Sequence, residues 1–126
     1  MARQKSPNLT DAELRLMEVL WQKRSATVAE VVEALPKELD LAYSTVLTTM
    51  RILEDKGYVR HTKEGRAFVY QPLVERMEAS RNAVRQLVSK FFGNSREQLV
   101  LHLLEDEEVT ERELRQIRKL LAEGRQ

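Results

Sequence analysis

The chain has no cysteine, which excludes disulfides and thiolate metal sites. Its two histidines, His61 and His102, stand far apart with no clustered carboxylates between them. No zinc site and no cofactor are expected from such a pattern. No apolar run approaches the roughly 20 residues that span a bilayer. The basic opening segment, residues 1–7, is not followed by the hydrophobic stretch of a signal peptide. The chain is therefore expected to act in the cytoplasm, without membrane insertion. Glycine-rich phosphate loops, nucleophile elbows and paired histidine motifs are all missing, so no enzymatic activity is expected. A large excess of either charge is lacking too. The formal net charge is +1, with 11 basic and 10 acidic residues up to Pro72 and 10 of each after it. That balance argues neither for nor against a nucleic-acid partner.

What is present is a folded composition, 42% hydrophobic and 33% charged, over 126 residues. This suits one ordinary domain or two small ones. Helix starts are legible. Thr10 and Glu13 have the spacing of a capping box, in which the hydroxyl accepts from the third helical amide and the carboxylate reaches back. Leu9 and Leu14 flank it as a hydrophobic staple. The helix should run to about Lys23, with Leu14, Met17, Leu20 and Trp21 on its buried face. Thr27 and Glu30 form a second box, opening a short helix through Leu35 that Pro36 closes. A third helix begins near Tyr43 or Ser44 and stops at Gly57, a left-handed C-cap. Its Val46, Met50 and Leu53 should face the core. The period then changes: residues 58–62 and 67–70 are rich in β-branched and aromatic side chains around a turn containing Gly65, which predicts a β-hairpin.

Helix, helix, helix and hairpin within about 62 residues read as a winged helix-turn-helix. The third helix leaves Tyr43, Ser44, Thr45, Thr48, Thr49 and Arg51 on its outward face. A solvent face selected for helicity would carry Glu, Lys, Gln and Ala rather than hydroxyl residues that lower helix propensity. Hydroxyls donate to phosphates or base edges, and threonine methyls pack on thymine methyls. Arg60, Lys63 and Arg66 surround the hairpin turn, where they can reach a phosphate backbone. His61 is expected to be a plain strand residue.

Beyond Pro72 the chain reads as all helix. A long amphipathic helix carrying Leu73, Met77, Val84, Leu87, Val88 and Phe91 stops at Gly93 and Asn94. Ser95 caps a short helix with Leu99, Val100, Leu103 and Leu104, and Thr110 with Glu113 boxes a last one with Leu114, Ile117, Leu120 and Leu121, ending at Gly124. These 54 residues are too few to bury enough apolar surface alone. Their stripes fold back on the N-terminal domain or pair with a second copy; pairing also gives a DNA reader its two-fold symmetry. Leu87, Phe91, Leu99, Leu103, Leu114, Ile117 and Leu121 are the candidate dimerisation residues. The expected architecture is thus mainly α with a small β-hairpin: a winged helix-turn-helix at residues 1–72 and a three-helix dimerisation domain at residues 73–126.

The chain resembles the penicillinase and methicillin-resistance repressors, the BlaI/MecI family, from Leu9 to Leu121. Residues 9–14 and 17–21 look like the family's first helix, residues 43–49 like its recognition helix, and residues 56–59 and 64–70 like its wing. The resemblance implies a homodimeric repressor on a dyad-symmetric double-stranded operator, with intertwined C-terminal helices. It implies DNA contacts from Ser44, Thr45 and Thr48 and a wing contact from Arg66. It also implies inactivation by a membrane sensor–protease system, at a bond that here corresponds to His102–Leu103. Many members have an arginine where this chain has Ile52; the arginine here is Arg51, turned by about 100° on a helix. Cysteine-based copper sensing is excluded. A competing expectation is a winged-helix protein-interaction module that never touches DNA, for which the weak overall basicity speaks.

Overall fold

The computed structural model describes residues 8–123; the opening basic segment and the helix stop expected at Gly124 lie outside the described residues. The first helix, α1 (Asp11–Lys23), starts with the expected capping box. The Glu13 amide donates to Thr10 Oγ1 at 3.1 Å, and the Thr10 amide donates to Glu13 Oε1 at 2.8 Å. Arg24 ends the helix in the left-handed region, φ 71°, with its amide on the Leu20 carbonyl. A two-residue strand, β1 (Ala26–Thr27), leads into α2 (Val28–Ala34), boxed by Thr27 and Glu30. After a single 3-10 turn (Lys37–Leu39) comes α3 (Tyr43–Asp55). Its end is a Schellman closure: the Gly57 amide donates to Glu54 and the Tyr58 amide to Leu53, with Gly57 at φ 85°. The hairpin follows as β2 (Val59–Glu64) and β3 (Ala67–Pro72). Gly65, at φ 61°, occupies the first central position of the two-residue turn, where positive φ is required.

The sheet has three antiparallel strands in the order β1-β3-β2. Strand β1 was not anticipated, since two residues show no alternation to detect. The β2–β3 register pairs Val59 with Pro72, His61 with Tyr70 and Lys63 with Phe68. Directly opposed residues share a face, so these six side chains face one way and Arg60, Thr62 and Glu64 the other.

Leu16, Met17, Leu20 and Trp21 of α1 pack with Val28 and Val31 of α2, and with Val46, Met50 and Leu53 of α3. Tyr58, Val59 and Tyr70 close the core from the hairpin. Leu14, expected inside, is instead exposed, while Leu16 is fully buried. The buried stripe of α1 runs through Glu13, Leu16, Met17 and Leu20; Leu14 is about 100° off it. Leu14 and its staple partner Leu9 line a shallow surface cavity instead.

After β3, α4 (Arg76–Phe91) starts three residues later than Leu73. The intervening turn is tied to α1. The Trp21 indole donates to the Val74 carbonyl at 2.8 Å, and Arg24 forms a bidentate pair with Glu75 at 3.0 and 2.8 Å. That hydrogen bonding holds the Glu75 carboxyl below its usual range. The Arg76 guanidinium lies 4.7 Å from the Trp21 ring centre. These contacts, with Ala79 in the core, carry the first compact unit to Val84 and start the second at Arg85. The division thus falls inside α4 rather than at residue 72.

The second unit contains the end of α4, α5 (Arg96–Leu104) and α6 (Glu111–Glu123). Ser95 caps α5 and a Thr110–Glu113 box caps α6. The Phe92 and His102 rings meet edge-on at 5.7 Å. Among its described residues only Val88 is buried, and neither α5 nor α6 buries any residue. Among the described residues no helix is long and apolar enough to cross a membrane.

Candidate nucleic-acid interface

Helix α3 divides cleanly into two sides. Val46, Met50 and Leu53 are fully buried, while Tyr43, Ser44, Thr45, Thr48 and Arg51 are exposed. Ser44, Thr48 and Arg51 stand at i, i+4 and i+7, so they form one outward strip, with Thr45 flanking it. Thr49 sits at the border: it is half-buried, and its hydroxyl donates to the Thr45 carbonyl at 2.8 Å. Ile52, seven residues after Thr45, is exposed on the same flank as Thr45. No side chain caps the start of α3, in contrast to α1, α2 and α5.

The structure brings three elements to one cleft of about 320 Å³. Thr27 and Ala29 come from the start of α2, Tyr43, Leu47 and Arg51 from α3, and Arg66 and Phe68 from the hairpin. Two guanidinium groups and a phenol therefore share one rim, a donor set suited to an anion such as a phosphate oxygen. Arg51 belongs to this cleft as well as to the outward strip. Lys63 lies on the α3-facing side of the hairpin, and Arg60 projects from the opposite side. The structure thus separates Arg60 from the other wing cations, although all three are exposed.

Two connections escaped the sequence reading. Lys56, just past α3, donates to Glu13 Oε1 at 2.8 Å and to the Asn8 carbonyl at 3.1 Å. It thereby ties the end of α3 to the capping box of α1, and both side chains of the ion pair are largely buried. His61 is no plain strand residue: its Nδ1 lies 2.8 and 2.9 Å from the two carboxylate oxygens of Glu54 on α3. Its ring packs against Phe68 at 4.5 Å and Tyr70 at 5.4 Å. Burial pushes the Tyr70 phenol up, and the nearby Glu54 carboxylate adds to this. Strand alternation from the buried Val59 was the available signal, because it puts His61 on the core-facing side. Among the described residues no group of three or more His, Asp or Glu side chains is arranged to hold a metal ion.

A family model described as "Penicillinase repressor" matches residues 9–123. The chain belongs to the penicillinase repressor family. It is 30% identical over 119 residues to the penicillinase repressor of Bacillus licheniformis, covering 94% of this chain and 93% of the relative. It is 25% identical over 117 residues to the methicillin resistance regulatory protein MecI of Staphylococcus aureus (strain N315), covering 93% and 95%. Similar solved structures include the following two. One is the DNA-binding domain of the repressor BlaI, with a TM-score of 0.53 and 37% identity over 60% of this chain and 93% of that one. The other is the monomeric Bacillus licheniformis BlaI in complex with the blaP half-operator, with a TM-score of 0.50 at the same identity and coverage. The family is one of DNA-binding transcriptional repressors, not enzymes, and the fold is the family's winged helix.

Proposed function

We propose that this chain is a sequence-specific repressor that acts in the cytoplasm as a homodimer on a dyad-symmetric operator. The observation that carries the reading is the shared strip and cleft. Ser44, Thr48 and Arg51 face outward from α3 while Arg51 and Arg66 line one cleft beside it. In this arrangement Ser44, Thr45 and Thr48 meet base edges in the major groove, and Arg51, Arg66 and Tyr43 hold the adjacent backbone. Lys63 adds to the field on the same side of the wing, and Arg60 contributes only through long-range attraction. The half-operator complex of the similar BlaI chain supports a DNA partner. The unburied α5 and α6 support pairing, since Leu103 and Leu121 remain about half exposed at 48% and 55% in a single chain. Burying such faces against a second copy is worth about 25 cal/mol per Å² of apolar surface removed from water.

Release by proteolysis at the His102–Leu103 bond, with a membrane sensor system as its trigger, completes the proposal. The bond lies in the last turns of α5, a helix that buries no residue and so opens locally at low cost. Cutting there separates α6 from α4 and takes the stripe of α6 out of the proposed pairing surface. Mass spectrometry of the protein from induced cells should show fragments ending near His102; intact chains after full derepression would contradict this part.

The DNA reading is tested by selecting bound duplexes from a random pool and titrating the winner against increasing salt. The expected result is an inverted repeat whose affinity falls steeply with salt as phosphate contacts release counterions. Recovery of no common sequence, with no salt dependence, would overturn it.

A further inference from the structure

We infer that the His61–Glu54 pair is a clamp that sets the wing at the distance from α3 at which Arg66 reaches DNA. The inference rests on the reading that the wing touches the backbone. Strand β1 supports β3 only at Tyr70 and Val69, through Ala26 and Thr27. Past Val69 the hairpin is a two-stranded ribbon, and such a ribbon is marginally stable on its own. His61 stands opposite Tyr70, one rung before support by the third strand ends at Val69. There it bridges directly to the recognition helix.

An ionised carboxylate can only accept, so the His61 Nδ1 carries the proton and donates to both Glu54 oxygens. The other side of the ring packs on Phe68, and Phe68 lines the cleft together with Arg51 and Arg66. A continuous path of contacts therefore runs from Glu54 on α3, through His61 on β2 and Phe68 on β3, to the cleft that Arg66 shares with Arg51. His61 touches no DNA in this arrangement; it is a positioning residue for one that does. The bond fixes the wing angle through two side chains that are each about one-third exposed, at 33% and 35%, so its loss leaves the core untouched.

The test is the salt dependence of binding to duplex DNA by the full-length protein, followed by fluorescence anisotropy. Removing one phosphate contact lowers the log–log salt slope by about 1. Arg66→Ala should show that loss. His61→Phe, which keeps a ring against Phe68 but has no donor, should show the same loss, and the double variant no more than either. His61→Asn places an amide nitrogen where Nδ1 was and should keep the wild-type slope. A wild-type slope in His61→Phe beside a lowered one in Arg66→Ala would overturn the clamp, as would additive losses in the double variant. A wild-type slope in Arg66→Ala would instead sink the wing contact and the clamp with it. Should His61→Phe fail to fold, Glu54→Ala decides. Removing a carboxylate near DNA by itself tightens binding, whereas loss of the clamp weakens it, so tighter binding by Glu54→Ala would contradict the inference.

Discussion

Threonine on an exposed helical face loses side-chain freedom and lowers helix propensity, so Thr45 and Thr48 gain nothing for the fold by standing there. Replacing either with alanine should leave the melting temperature unchanged or slightly raised. The same changes should each weaken operator binding by about 1–3 kcal/mol, the worth of one good pairing with a base edge, as measured by titration of the selected duplex. Lys56 has the opposite character. Its ammonium answers the buried Glu13 carboxylate, and removing one partner of a buried pair strands the other. Lys56→Ala should lower the unfolding free energy by roughly 3 kcal/mol in a urea titration, while the purified folded protein still binds DNA. A change under about 0.5 kcal/mol, the range of ordinary surface substitutions, would show that the pair is immaterial. The hydroxyls at positions 44, 45 and 48 were legible in the sequence because they break the habits of a solvent face. The Lys56 pair was not, because its partner lies 43 residues away and nothing local marks a long-range ion pair; strand alternation from Val59 puts His61 on the core-facing side but does not name Glu54 as its partner.

Helices announce themselves in this chain through their caps, and strands do so less well. The boxes at Thr10, Thr27 and Thr110 and the glycine stop after α3 depend on local chemistry, so they could be read within a residue or two. Strand β1 exists only because β3 offers it hydrogen-bonding partners at Tyr70 and Val69, which no local pattern reveals. The position of the unit boundary is likewise tertiary. Trp21 and Arg24 hold the turn before α4, and that extends the first unit past the proline that ends the hairpin. Helices α5 and α6 are the elements whose sequence and structure agree on an unfinished surface: apolar stripes that one chain leaves uncovered. Leu114, half-buried on α6, belongs to the proposed seam with a second copy. Leu114→Asp puts a charge into that seam, at a cost of several kcal/mol, and should give monomers by light scattering with intact helical circular dichroism. A dimer of undiminished strength in that variant would remove α6 from the interface.

In the proposed dimer the whole molecule combines a reading head with a pairing surface, and symmetry links the two. Two copies related by a two-fold axis present two α3 helices to one face of a duplex, about one helical turn or roughly 34 Å apart, or a multiple of that. Affinity for the paired site then exceeds that for a single half-site, because the second head binds within an already formed complex. Neither the spacing nor the operator sequence was legible in the residues, since both depend on how two chains meet. The direct measurement is a titration of three duplexes with the full-length protein: the selected operator, an isolated half-site, and the operator with about 5 base pairs, half a helical turn, inserted between its halves. The account predicts two chains per operator and tight binding to the intact site only, with the insertion reducing affinity to that of the half-site. Equal affinity for all three duplexes, at one chain per site, would contradict it.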